Sequence, residues 1–155
     1  MTTIGVSLVD LYVLRGAGGG LECLVLRRGP GGRCPGSWET VHGHIEPNET
    51  PAQAAIRELA EETGAAPLRV YNLSRMEAFY QHARDEVALI PVFAAFVEPG
   101  TAVRLGPEHD GFEWLPVAAA RRRFAWPREA RALEDAVALL GPGHAGAVED
   151  VLRVC

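Results

Sequence analysis

The sequence predicts an α/β fold on three observations: apolar, β-branched runs set off by glycine and proline, one helix with both ends marked by residue type, and a second amphipathic helix near the C-terminus. The runs 4–14 (IGVSLVDLYVL) and 21–28 (LECLVLRR) flank the turn GAGGG and predict two paired strands. A loop rich in Gly, Pro and Arg fills 29–37, and the segment 38–45 (WETVHGHI) reads as extended. The helix that follows has Thr50 as N-cap, Pro51 at its first position and Gln53 completing a Thr-x-x-Gln capping box, with Gly64 as its stop. Strands are predicted over 68–80, 87–97 and, shorter, 111–115. The second helix covers 127–140, with Ala130, Leu133, Val137 and Leu140 on one face; the tail 144–155 suits either a short helix or a frayed end.

With 155 residues, 48% of them apolar, and no repeat or linker, the chain is expected to form one domain over 1–155. No apolar run approaches the roughly 20 residues of a membrane span, and the N-terminus lacks a basic start and a cleavage site, so the expected location is cytoplasmic with no membrane partner. Cys23, Cys34 and Cys155 are odd in number and widely spaced, which suggests neither a disulfide framework nor a zinc cluster. All 15 basic residues are arginine, and the net charge of -5 argues against a nucleic-acid partner. A small anionic substrate bound through a metal ion remains compatible with that charge.

The stretch RELAEETG, 57–64, concentrates carboxylates. At 100° per residue, Ile56, Leu59, Ala60 and Thr63 are expected to pack, with Glu58, Glu61 and Glu62 on nearly the opposite face. Such a face is ordinarily only solvated. Here Glu58 and Glu62 are an i, i+4 pair with Glu61 one turn from Glu58, so the like charges repel, and a hard divalent cation would remove that cost. Arg57 can pair with Glu61 and reach back toward Glu46 and Glu49.

From Gly43, the sequence GHIEPNETPAQAAIRELAEETGA resembles, without a gap, the Nudix box, here 43–65. The element order and the later GFEWLP with a closing helix are also similar to a whole Nudix hydrolase. The resemblance implies a Nudix α/β/α sandwich around a central mixed β-sheet and hydrolysis of a diphosphate linkage. It further implies Mg²⁺ or Mn²⁺ as cofactor, held by Glu58, Glu61, Glu62 and the Gly43 carbonyl, with Arg57 and Glu49 in support. Glu58 and Glu61 are the first candidates for the general base, completing a catalytic set with Arg57, and Glu86 is a further one. The box departs from the common Pro-Gly-Gly entry with VHGH; His42 and His44 would project to one side of an extended segment, with no further ligands nearby for zinc.

The Trp before the box and the EH, WL and AA elements ahead of the closing helix are similar to the bacterial branch acting on dihydroneopterin triphosphate and on nucleoside triphosphates such as dATP, with pyrophosphate as the expected product. A flat heterocycle with a triphosphate calls for aromatic faces and arginine forks. Trp38, Trp126 and Arg27 are the leading substrate-binding candidates, with Glu86 added to the set and Phe79, Tyr80, Phe124, Arg28 and Arg84 behind them. Dinucleoside polyphosphates and ADP-ribose are the alternatives within the family, and a non-catalytic nucleotide sensor the alternative outside enzymes. Either a monomer or a homodimer is compatible with the sequence.

Overall fold

The computed structural model describes residues 1–155. Eight strands form one mixed sheet: β1 (Thr3–Gly5), β2 (Leu8–Arg15), β3 (Glu22–Arg28), β4 (Trp38–Glu39), β5 (Val41–His44), β6 (Arg69–Gln81), β7 (Glu86–Phe96) and β8 (His109–Pro116). Four helices accompany them: α1 (Pro51–Thr63), α2 (Val117–Arg123), α3 (Pro127–Leu140) and α4 (Glu149–Leu152). The run expected as one strand over 4–14 is two, with β1 and β2 both parallel to β7. The tail resolves into the short α4, and Val154 N–H then donates to the Val70 carbonyl at 2.7 Å.

Strand alternation sorts the core into two layers. Val9, Leu11 and Val13 of β2 pack with Leu24, Leu26, Ala54, Ala55 and Leu59 on the α1 side. Tyr12 and Leu14 face the other way, with Cys23, Val25, Phe124, Ala132 and Leu133. A period of two in the strands therefore buries both faces of the sheet and requires a helix layer on each. The buried stripe of α3 is Glu129, Ala132, Leu133, Ala136 and Leu140; Ala130 and Val137, expected on it, are only partly covered.

Strands β2 and β3 pair only near their turn, Leu14 with Cys23 and Arg15 with Glu22. Beyond that they diverge, and the chain from 38 to 44 fills the split, with β4 against β3 and β5 against β2. Thr40 joins the two sides: its hydroxyl donates to the Leu11 carbonyl at 2.6 Å and its N–H to Glu129 Oε2 at 2.7 Å.

Helix α1 starts as expected. The Thr50 side chain accepts from Gln53 N–H, the Gln53 side chain accepts from Thr50 N–H, and Gly64 closes the helix at φ 70°, where a side chain would be strained. Its packing face is rotated from the expected one. Ala54, Ala55, Leu59 and Thr63 are buried together with Glu58 and Glu62, whereas Ala60 is exposed and Ile56 is half-covered. Relative to Leu59, Glu62 sits only 60° round the wheel, so packing Leu59 against the sheet takes Glu62 in with it. Leu59→Ala is expected to cost about 2–5 kcal/mol, read as a lowered urea midpoint with unchanged slope; a loss below 1 kcal/mol would contradict the packing described.

Candidate active site

The loop before α1 and the middle turns of the helix are joined by one side chain. Arg57 Nε and Nη2 donate to the two Glu49 carboxylate oxygens at 2.8 and 3.0 Å, and Nη2 donates also to the His44 carbonyl at 2.8 Å. Its Nη1 donates to Glu58 Oε1 at 2.9 Å and Glu61 Oε2 at 3.2 Å. Glu46 is farther, 4.0 Å from Nε. This planar fork cannot be matched by a single ammonium. Hydrogen bonds from Arg57 and from the Glu46 backbone hold Glu49 below the usual carboxylate range, and those from Glu49, Glu58 and Glu61 push the Arg57 pKa up.

Glu58 and Glu62 leave solvent with the packing face, at 9% and 4% exposure. Burial pushes the Glu58 carboxyl up, opposed by Arg57. Burial pushes Glu62 well above its ordinary value, and Glu58, Glu108 and Glu39 add to that, with only the nearby His42 backbone opposing. Neither Glu62 oxygen has a hydrogen-bond partner. Glu61 stays exposed at the cleft mouth.

Gly43 of β5 lies directly under Glu58. A Cβ there would fall 2.0 Å from Glu58 Cδ, so only glycine lets the carboxylate rest on the strand. The loop before β8 adds Glu108, and one ligand atom each from Glu62, Glu108 and His109 lie within 4.8 Å of one another. His109 Nε2 is 3.1 Å from Glu39 Oε1. Arg33 and Arg28 also pair with Glu39, at 3.1 and 3.5 Å, and Arg28 reaches Glu108 at 3.4 Å. Burial would raise the Glu39 carboxyl, but the His109 hydrogen bond and the two arginines hold it low.

An orphaned buried carboxylate, two acidic neighbours and a glycine-floored cradle are a donor set of hard oxygens, the chemistry that suits Mg²⁺ or Mn²⁺. Glu58, Glu61, Glu62 and Glu108, with the Gly43 carbonyl, could hold such an ion.

Two clefts meet beside this set. The first, about 370 Å³, has no hydrophobic residue in its lining, which includes Arg28, Arg33, Arg57, Glu58, Glu61 and Glu108. The second, about 360 Å³, lies on the opposite sheet face and is lined by Leu8, Ile90, Phe79 and Trp126 with Gln81, Cys34 and Arg128. Arg33, His42 and His44 line both. Under the second cleft Asp10 is completely buried; His42 Nδ1 lies 2.6 Å from Oδ1, and Arg128 Nε donates to Oδ2 at 3.2 Å. Burial would raise the Asp10 pKa, but these two partners hold it below the usual range.

Of the residues singled out from sequence, Glu49, Arg57, Glu58, Glu61, Glu62 and Gly43 come together, Arg28 lines the first cleft, and Trp126 and Phe79 line the second. Arg27, Trp38 and Glu86 line neither cleft. Arg27 pairs with Asp110 at 2.7 Å, and Trp38 packs against the α3-side core with the guanidinium carbons of Arg27 and Arg123 5.8 and 4.8 Å from its ring centroid. Glu86 opens β7 opposite Gln81, but unlike Gln81 it does not line the second cleft. The carboxylate that a loop does bring to the box glutamates is Glu108, whose only sequence signal was the EH pair ahead of β8. Asp10, Arg33 and Arg128 were likewise not singled out for these positions.

Residues 5–136 match the family described as NUDIX domain, and the chain belongs to that family. It is 40% identical over 123 residues to an octanoyltransferase of Myxococcus xanthus, covering 75% of this chain but only 32% of that protein. It is 30% identical over 109 residues to the asymmetrical bis(5'-nucleosyl)-tetraphosphatase of Sus scrofa, covering 69% of each. The fold is shared with an Ap4A hydrolase of C. elegans, at TM-score 0.72 and 24% identity over 88% of this chain and 98% of that one. It is shared also with the E. coli dihydroneopterin triphosphate pyrophosphohydrolase, at TM-score 0.63 and 22% identity over 81% and 92%.

Gly43→Ala should displace the Glu58 carboxylate and weaken Mn²⁺ binding by about 10–100-fold in a calorimetric titration, by analogy with removing a residue that orients a ligand. Unchanged affinity would show that the glycine floor does not position the carboxylate.

Proposed function

We propose that this chain is a Mg²⁺- or Mn²⁺-dependent pyrophosphohydrolase that cleaves a diphosphate linkage in a nucleoside triphosphate or related compound, a dNTP such as dATP or dihydroneopterin triphosphate, releasing pyrophosphate. The observation that carries this reading is Glu62: a buried carboxylate without a hydrogen-bond partner, beside Glu58 and Glu108, is costly unless a cation completes it. Glu58, Glu61 and Glu62 would hold the ion together with the Gly43 carbonyl, and Glu108 would face the same site. When bound, a divalent cation supplies charge neutralisation for phosphate oxygens and a water of lowered pKa.

The rest of the chemistry falls to the chain's own residues. Arg57 fixes Glu58 and Glu61 through one guanidinium group, so both keep their place as substrate arrives. A carboxylate oxygen of Glu61 or Glu58 takes the proton of the attacking water. Arg28 and Arg33 line the polar cleft where phosphates would lie. The heterocycle would then sit across the β5 edge against Trp126 and Phe79, past His42 and His44, which line both clefts.

A second reading, hydrolysis of a dinucleoside polyphosphate, is favoured by the identity to the Sus scrofa tetraphosphatase. The two readings share the metal site and differ in what leaves. Release of phosphate and pyrophosphate from dNTPs, dihydroneopterin triphosphate, diadenosine polyphosphates and ADP-ribose, with Mg²⁺ and with EDTA, separates them. The expected result is EDTA-sensitive pyrophosphate release from triphosphates. Mononucleotide release from diadenosine polyphosphates alone would replace the first reading with the second, and no turnover of any compound would refute both.

Glu61→Gln and Glu62→Gln should each lower kcat by about 100-fold or more while circular dichroism stays that of the parent protein. Retained turnover in either variant would refute the role given to that residue.

A further inference from the structure

The cleft on the α3 side carries hydrogen-bond donors and no carboxylate on its lining. Its walls, Phe79 and Trp126 with Leu8 and Ile90, suit a flat ring, and its volume of about 360 Å³ falls within the range of small-molecule sites, roughly 300–1,000 Å³. One cation in it is held in a defined orientation. Arg128 donates through Nε to the buried Asp10 at 3.2 Å, and its guanidinium carbon lies 5.2 Å from the Trp126 ring centroid. The side chain is 18% exposed; its two terminal nitrogens donate to no protein atom, and neither is sealed from solvent.

A guanidinium tied down at Nε presents its remaining N–H groups as a two-pronged donor. Such a fork matches two adjacent acceptors, as guanine presents with O6 and N7. A 4-oxopterin presents the same pattern with its oxo group and neighbouring ring nitrogen. Adenine instead places an amino donor beside N7, so one prong would meet a donor and lose its partner. Asp10 cannot rescue that contact, since it is completely buried beneath His42 and Arg128 and does not line the cleft.

We infer that Arg128 is a specificity residue, and that the cleft takes a fused heterocycle whose edge offers an oxo group beside a ring nitrogen, as in guanine or a 4-oxopterin, in preference to adenine. The inference rests on the reading that a nucleotide or pterin triphosphate is the substrate, and it narrows that reading to one class of base. Gln81, on the same wall, carries both a donor and an acceptor and can serve the ring's remaining edge.

The test measures kcat/KM for dGTP, dihydroneopterin triphosphate and dATP with the parent protein, Arg128→Lys and Arg128→Leu. In parallel, calorimetry on the metal-free proteins measures binding of GMP and AMP. The parent protein should favour the oxo substrates over dATP by about tenfold or more. Arg128→Lys keeps a positive charge beside Asp10 and Trp126 but loses the fork, so the ratio should fall toward one in it as in Arg128→Leu. Comparable kcat/KM for dATP and dGTP in the parent protein would overturn the inference, as would a preference that survives both substitutions. The higher of the dGTP and dihydroneopterin triphosphate values identifies which source of the oxo edge is used. If no triphosphate is hydrolysed, the hydrolase reading fails on its own, and binding still decides: GMP tighter than AMP, with the difference lost on substitution, supports the role of Arg128, and equal binding refutes it.

Discussion

Carboxylates that are pressed together against a sheet repel one another and lose water at the same time, and α1 does both to Glu58 and Glu62. The packing of Leu59 leaves no alternative: a residue three positions on from Leu59 shares most of its face, so the glutamate at 62 goes under with the leucine. Much of what surrounds the helix answers this constraint. Arg57 spans three glutamates, Gly43 has no side chain and so leaves Glu58 room, and Arg28, Arg33 and His109 attend to the buried Glu39 next door. Glu62 is left over, and a divalent cation is the partner its surroundings fit.

The sheet supplies the place. Because β2 and β3 part after two paired residues on each strand, the chain from 38 to 44 can enter the sheet and reach α1 through Gly43. Its alternate residues then look to opposite faces. Val41 and Gly43 serve α1, whereas His42 and His44 stand at the border and line both clefts. One short strand thus divides a charged cleft from an aromatic one and lets a single ligand straddle its edge. The buried Asp10, directly across from His42 in the register, fixes the second cleft as Arg57 fixes the first.

The parts of this arrangement that follow from local sequence were legible. The capping box, the Gly64 stop, the α3 boundaries and the box glutamates all depend on neighbours within a few residues. What was missed depends on which face a strand residue takes, and an isolated strand does not reveal that. Arg27 and Trp38 were singled out as adjacent to the site, but they point to the α3 side; Arg28 and Glu39, one residue on in each case, occupy the α1 side. The same ambiguity turned the helix: counting Ala60 and Ile56 as packing residues rotated the acidic face away from the sheet, whereas the small Ala54 and Ala55 mark the real contact. Glu108, Asp10 and Arg128 reach the clefts through tertiary contacts made across roughly 40 to 120 positions of chain, for which no spacing rule exists.

The central claim is that the carboxylate cluster is completed by a divalent cation. Titrating Mn²⁺ into metal-free protein, with bound ion counted by electron paramagnetic resonance and Tm followed at each point, tests it without reference to any substrate. A ligand that binds only the folded state must raise Tm as it saturates. The account predicts that the parent protein gains stability with Mn²⁺. It also predicts that Glu62→Gln is no less stable than the parent without metal, since it loses a crowded buried carboxylate, yet gains little when Mn²⁺ is added. A parent protein whose Tm ignores Mn²⁺, or a Glu62→Gln variant with the full metal-induced rise, would contradict it.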